Sequence, residues 1–256
     1  MKKLFILCSC LISFLSCSTP KGTGESEMTF EEVAIEILQL YQNVNSLLIT
    51  EGDKLYQLML EHTDPKSEVG EEDKSYFLRN IAHIDSLVTL GQQLVQENKT
   101  KELLSLLEPE LPNFYAHPNN TVDNEIDLHL LMNMLYYKHS KSDEEYINKV
   151  INLYDFTIVH IEAIKNKHPS YADVLLEQIV YCIEADCNKA ILYGEKLSNY
   201  MLQTENEEGH VYASLILSKA YEKAGEPALQ DSTINSVKNH PLYAECCNEI
   251  NNIFEN

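Results

Sequence analysis

Tryptophan is absent from the 256-residue chain, and arginine occurs only at Arg79. Arginine forks and tryptophan faces dominate phosphate recognition and many interface hot spots. Their scarcity argues against a nucleotide or glycan site. Glycine and proline number eight each and fall between periodic segments, and no segment reads as a strand. No apolar run reaches the roughly 20 residues that a membrane-spanning helix needs. Metalloprotease, serine-hydrolase and phosphate-loop motifs (HExxH, GxSxG, glycine-rich loops) are missing as well, so no enzyme reading has a positive starting point.

Acid is what the chain has in excess: 40 acidic residues against 19 basic ones, a net charge of −21. Such a chain repels nucleic acid and anionic lipid headgroups, which disfavours binding to a phosphate backbone. The predicted partners therefore exclude nucleic acid.

The N-terminus is patterned differently. Met1-Lys2-Lys3 is basic, Leu4 to Ser16 is mostly apolar, and Cys17 is followed by the small, polar stretch STPKG. A basic start, an apolar core of about 7–15 residues and small residues at its end describe a secretory signal. Phe14-Leu15-Ser16-Cys17 resembles the lipobox of bacterial lipoproteins, with Phe14 where leucine is usual. The resemblance implies a signal peptide at 1–16, lipidation (palmitate) at Cys17, and a bacterial cell-envelope address with the chain lipid-anchored in the outer membrane. Residues 17–28 are then a flexible tether, and 29–256 a helical domain. The tether carries Lys21 and no acid before Glu25, which favours the periplasmic face. Removing 1–16 leaves 17 basic and 40 acidic residues, a net of −23.

The rest of the chain reads as helix after helix. Thr29-Phe30-Glu31-Glu32 and Ser142-Asp143-Glu144-Glu145 are capping boxes. Phe30, Val33, Ile37, Leu40, Tyr41, Val44, Leu47 and Leu48 keep helical spacing, as do Ile147, Val150, Ile151, Tyr154, Ile158 and Ile161. A break is expected at Gly52 and a loop from Asp64 to Gly70. Helices are expected over about 72–96, 101–107, 123–138 and from Ser142 onward. The polar, proline-marked stretch 112–122 is the longest connection, and a sub-boundary is possible near 109–122. Later helices are expected after Ser170, from Cys187, after the TENEEG loop of 204–209, and after Pro241.

Residues 215–229 carry Leu217, Ser218, Ala220, Tyr221 and Gly225, with Ala228 two residues early for the next small residue. They resemble a tetratricopeptide repeat (TPR). Tyr181 and Ala190 repeat the spacing, as do Leu90, Gly91, Leu94 and Asn98. The resemblance implies an all-α chain of antiparallel helical hairpins stacked as a TPR-like α-solenoid, since one hairpin cannot bury its own apolar face. Tyr181 and Tyr221 are 40 residues apart against about 34 in the family, which makes TENEEG an insertion. A compact irregular helical bundle is the alternative architecture.

The remaining chemistry is sparse. His160-Ile161-Glu162 lacks a second cluster to complete a zinc site, and His83, Asp85 and Ser86, as helix neighbours, point in different directions. No metal, cofactor or catalytic residue is predicted. Cys182, Cys187, Cys246 and Cys247 are even in number, in a compartment that permits disulfides. Successive equivalent helices about 10 Å apart would keep Cys182 roughly 20 Å from the later pair, beyond bridging range. A local bridge from Cys182 to Cys187 stays open.

The expected function is an envelope lipoprotein that acts as a scaffold or adaptor for a protein or peptide partner. The alternative is a small-molecule or glycan-binding lipoprotein serving an uptake system. In the best-matching hairpin, Ala213, Leu217, Ala220 and Tyr221 form the packing stripe. The other face is expected to expose Tyr212, Leu215, Lys219, Glu222 and Lys223, and the partner-binding residues are predicted to be Tyr212, Lys219, Glu222 and Lys223.

Overall fold

The computed structural model describes residues 29–42, 71–117, 120–163 and 168–255. The expected signal, Cys17, the tether, the Gly52 break and the loop after Asp64 lie outside them. Every regular element among the described residues is a helix. The chain forms two compact units that divide after His139, Gly24–His139 and one built from Ser140–Asn256.

The first unit opens with α1, residues 30–42. Its capping box is made in full: the Thr29 amide donates to Glu32 Oε2 at 2.8 Å, and the Glu32 amide to Thr29 Oγ1 at 3.3 Å. Ala34, Ile37, Leu38 and Tyr41 form its buried stripe. Then follow α2 (Glu71–Gln96), α3 (Thr100–Leu107), a 3-10 turn (Glu108–Glu110), α4 (Leu111–Tyr115) and α5 (Val122–His139). Of the expected connection at 112–122, the start, to Tyr115, is helical and Val122 opens α5, while 116, 117, 120 and 121 are non-helical among the described residues. Pro109 and Pro112 stand at first-turn positions, where a missing N–H costs nothing. Phe114 is fully buried, edge-on to Tyr41 at 4.9 Å. Tyr41 closes the contact by donating to Asn120 Oδ1 at 3.0 Å.

The second unit contains α6 (Asp143–Ala163), α7 (Tyr171–Ala185), α8 (Cys187–Gln203), α9 (Glu207–Ala224), α10 (Pro227–Val237) and α11 (Tyr243–Glu255). Each helix from α6 to α9 packs on the next. In addition, α9 packs on both α7 and α11. The last three alternate helices begin at Tyr171, Glu207 and Tyr243, 36 residues apart each time.

Short polar residues define the turns. Asp186 caps α8 by accepting from the Lys189 amide at 3.2 Å, and Asn206 caps α9 by accepting from Gly209 at 2.8 Å. Gly225 ends α9 in the left-handed conformation at φ 74°. Its amide donates to Glu222 O and that of Glu226 to Tyr221 O, the paired bonds of a Schellman ending. Asn98 and Glu205, at φ 53° and 55°, close α2 and α8 in the same way. Glycine suits this geometry best and asparagine adopts it readily, which leaves Glu205 as the misfit.

His168-Pro169-Ser170-Tyr171-Ala172 and His240-Pro241-Leu242-Tyr243-Ala244 repeat one pattern 72 residues apart. In both, the imidazole Nδ1 accepts the amide two residues on, at 3.3 and 3.2 Å, and the tyrosine amide donates to the histidine carbonyl. The same turn therefore launches α7 and α11. Among the described residues, no helix is long and apolar enough to cross a membrane.

Candidate functional site

The predicted partner residues all lie on α9, but Tyr212 sits in its buried middle and Lys219, Glu222 and Lys223 in its last two turns. Tyr212 is 9% exposed and Leu215 4%, so the expected exposed aromatic is a core residue. The reason is the position of α9, with α7 and α8 on one side and α10 and α11 on the other. Residues 211 to 218 are buried around the whole helix circumference. Beyond its first turn, only the last two turns of α9 reach solvent. There Lys219 pairs with Glu222 at 3.5 Å, and Lys223 pairs with Glu184 of α7 at 2.7 Å.

Lys219 and Glu222 do line a cleft. They border a cavity of about 230 Å³ between α9, α10 and α11, floored by Leu215, Ile234 and Ile250. Tyr243, Cys247 and Asn251 form its α11 side. It has room for one apolar side chain, with a cation and a carboxylate at the rim.

A larger cavity of about 470 Å³ lies where α8 ends, α9 begins and α10 ends. Its walls combine Met201, Val211 and Val237 with His210, His240, Asn206, Glu205 and Glu207. Its two imidazoles are each held at one nitrogen: His210 Nδ1 by Ser198 Oγ at 3.2 Å, and His240 Nδ1 by the Leu242 amide. Nε2 of His240 points toward Glu207 at 3.9 Å, longer than a hydrogen bond.

The densest polar chemistry lies between α6, α7 and α8. Asp155 accepts from Gln178 Nε2, Lys189 Nζ and Tyr193 OH, all at 2.6 Å. Two turns on, Glu162 accepts from Tyr171 OH at 2.7 Å and Lys196 Nζ at 2.8 Å. Deeper inside, Tyr154 OH donates to the buried Glu177 carboxylate, and Tyr154 stacks on Tyr181 at 6.0 Å. Burial raises Glu177 to about 7 against the lowering effect of the Tyr154 bond, and Asp173, one turn earlier, to about 6. In the first unit, the fully buried His129 accepts or donates to Tyr115 OH at 2.7 Å, and burial lowers its pKa to about 3. Glu177 and His129 are core polar groups satisfied by tyrosine.

His160 and Glu162 stand on either side of Ile161 on α6. Glu162 is committed to Tyr171 and Lys196, and Ile161 between them is fully buried. His83 reaches Glu110 at 2.9 Å, away from Ser86, whose hydroxyl donates to the Ala82 carbonyl. Among the described residues, no three of His, Cys, Asp and Glu are placed to hold a metal ion. The carboxylate hub at Asp155 and the repeated His-Pro turns escaped sequence reading. The His-Pro-x-Tyr-Ala repeat was the available signal for the turns.

No protein-family profile, curated protein or solved structure matches the chain.

Proposed function

We propose that the protein is an envelope lipoprotein, anchored through Cys17, whose helical hairpins form a TPR-like stack that serves as a scaffold for a protein or peptide partner. The observation that carries the reading is the packing of α7, α9 and α11 as successive equivalent helices, with starts 36 residues apart. Elements that contact only their neighbours at a fixed period are the signature of a stacked repeat. The outer face of α11 supports it. Ala244, Glu245, Asn248, Glu249 and Asn252 are exposed, the polar face expected of a helix that ends a stack.

The lipobox-like Phe14-Leu15-Ser16-Cys17 supports the address. One acyl chain binds a membrane marginally and two hold it stably, so multiple acylation at Cys17 would suffice. The partner groove is the cleft bordered by Lys219 and Glu222, while Lys223 lies outside it, paired with Glu184 of α7. An extended segment would place one apolar side chain in the cavity and polar groups along the rim. Chemical crosslinking followed by capture tests this: Lys219→Ala with Glu222→Ala should remove the captured partner and leave the fold intact.

The 470 Å³ cavity favours a second reading, a small-molecule or glycan binder serving an uptake system. Its volume falls in the range of ligand sites, about 300–1,000 Å³. A melting shift that depends on a small solute, and disappears with His210→Ala, would select this reading.

A further inference from the structure

Two ion pairs cross from α6 to α8, Asp155–Lys189 at 2.6 Å and Glu162–Lys196 at 2.8 Å. Both partners advance by seven residues, 155 to 162 and 189 to 196, so the two helices run parallel. Each carboxylate also accepts a tyrosine hydroxyl, from Tyr193 or Tyr171. The pairs are therefore fixed cross-struts. One heptad separates them, about 10 Å of helix.

Between the struts the surface is apolar. Val159 lies on the α6 stripe of Asp155 and Glu162, and Leu192 on the α8 stripe of Lys189 and Lys196, by the three-, four- and seven-residue spacings of a helix face. Val159 is 66% exposed, Leu192 49% and neighbouring Phe156 43%. These three are half of the six large hydrophobic side chains exposed among the described residues. Apolar side chains ringed by fixed polar groups mark an interaction surface.

From this we infer that the α6–α8 face is a docking site for one amphipathic α-helix with basic flanks. A third helix can lie in the groove between two parallel ones. Two turns of apolar surface match the anchors of such a ligand at i, i+3 or i+4, and i+7. The four strut charges cancel in pairs, leaving the field of the surrounding unit. Residues 140–256 hold nine lysines against nineteen acids, a net of −10. That field attracts cationic flanks and opposes a second copy of this chain or an anionic membrane surface. The site is separate from the cleft at Lys219, so either can fail without the other.

The test uses the full chain in detergent and a fluorescent synthetic helix of about 18 residues, leucine at the anchor positions and lysine at the flanks. Fluorescence anisotropy should show saturable binding that Val159→Asp with Leu192→Asp weakens at least about tenfold. The milder pair Val159→Ser with Leu192→Ser should weaken it in the same direction with unchanged circular dichroism. Lys219→Ala should leave it unchanged. Equal binding by both double variants would show attraction by net charge alone and overturn the inference. Three further results would also overturn it: no saturable binding, equal affinity for a peptide with glutamate flanks, or preferential binding of the intact chain to phosphatidylcholine vesicles that the Asp variants abolish.

Discussion

A β-carbon added to Gly194 would come within 2.9 Å of Leu217 Cδ1 and 3.3 Å of Leu217 Cβ. Here α8 and α9 approach closely, and part of Leu217 cannot yield because it is attached rigidly to its backbone. Gly194→Ala should therefore destabilise the fold by about 1–3 kcal/mol through overpacking, despite the roughly 1 kcal/mol gained in helix propensity. Gly91→Ala is the control. Its nearest neighbour is a leucine methyl at 3.2 Å, and urea melts should find it close to neutral.

Glu205 holds a left-handed backbone at φ 55°, a conformation that costs a residue with a β-carbon about 1 kcal/mol. Glu205→Gly should stabilise the chain by about 0.5–1 kcal/mol. Glu205→Ala should give no gain, because it keeps the β-carbon. Equal effects of the two substitutions would show that the side chain, not the backbone, sets the energy.

Glu177 titrates higher in the folded chain, about 7, than its ordinary 4.5. A group raised in this way adds stability that is complete below the unfolded pKa and is lost as pH rises through the folded one. The loss should therefore develop between about pH 4.5 and 7, and amount to roughly 3 kcal/mol by pH 8. Asp173, raised to about 6, acts in the same direction. Glu177→Gln should flatten the profile and raise stability at pH 8 relative to the parent. Denaturant midpoints at several pH values measure this, and a parent whose stability rises from pH 5 to 8 would contradict it.

All four described cysteines are free thiols. Cys182 and Cys246 are buried, and burial, aided by Asp155, raises the Cys182 thiol to about 12. Under native conditions Cys187 and Cys247 should react with a thiol reagent well before Cys182 and Cys246. Peptide mapping without reductant should find no link from Cys182 to Cys246 or Cys247.

Helix identity was legible from residue spacing. The Thr29 box forms as expected, while at Ser142 only one half does: the Glu145 amide donates to Ser142 Oγ, but its carboxylate accepts from Lys141. Only the start of the 112–122 connection misled: the helix before it ends at Leu107 as expected, but Pro109 and Pro112 then open short helical turns of their own. Phe114, which pins that stretch to Tyr41, looks like a loop aromatic in sequence. Tyr212 misled for a different reason. Helical periodicity assigns one buried face, but α9 has neighbours on both sides, and the number of neighbours cannot be read from one helix. The Asp155 and Glu162 hubs were invisible because their tyrosine and lysine partners lie 9 to 38 residues away in sequence.

The scaffold claim is tested most directly by a photo-reactive residue at position 222, on the rim of the cleft with Lys219, in intact cells. The account predicts a discrete protein adduct recovered with membranes, lost with Lys219→Ala and released from membranes with Cys17→Ser. No protein adduct, together with a soluble chain whose melting temperature rises on adding a small solute, would contradict it.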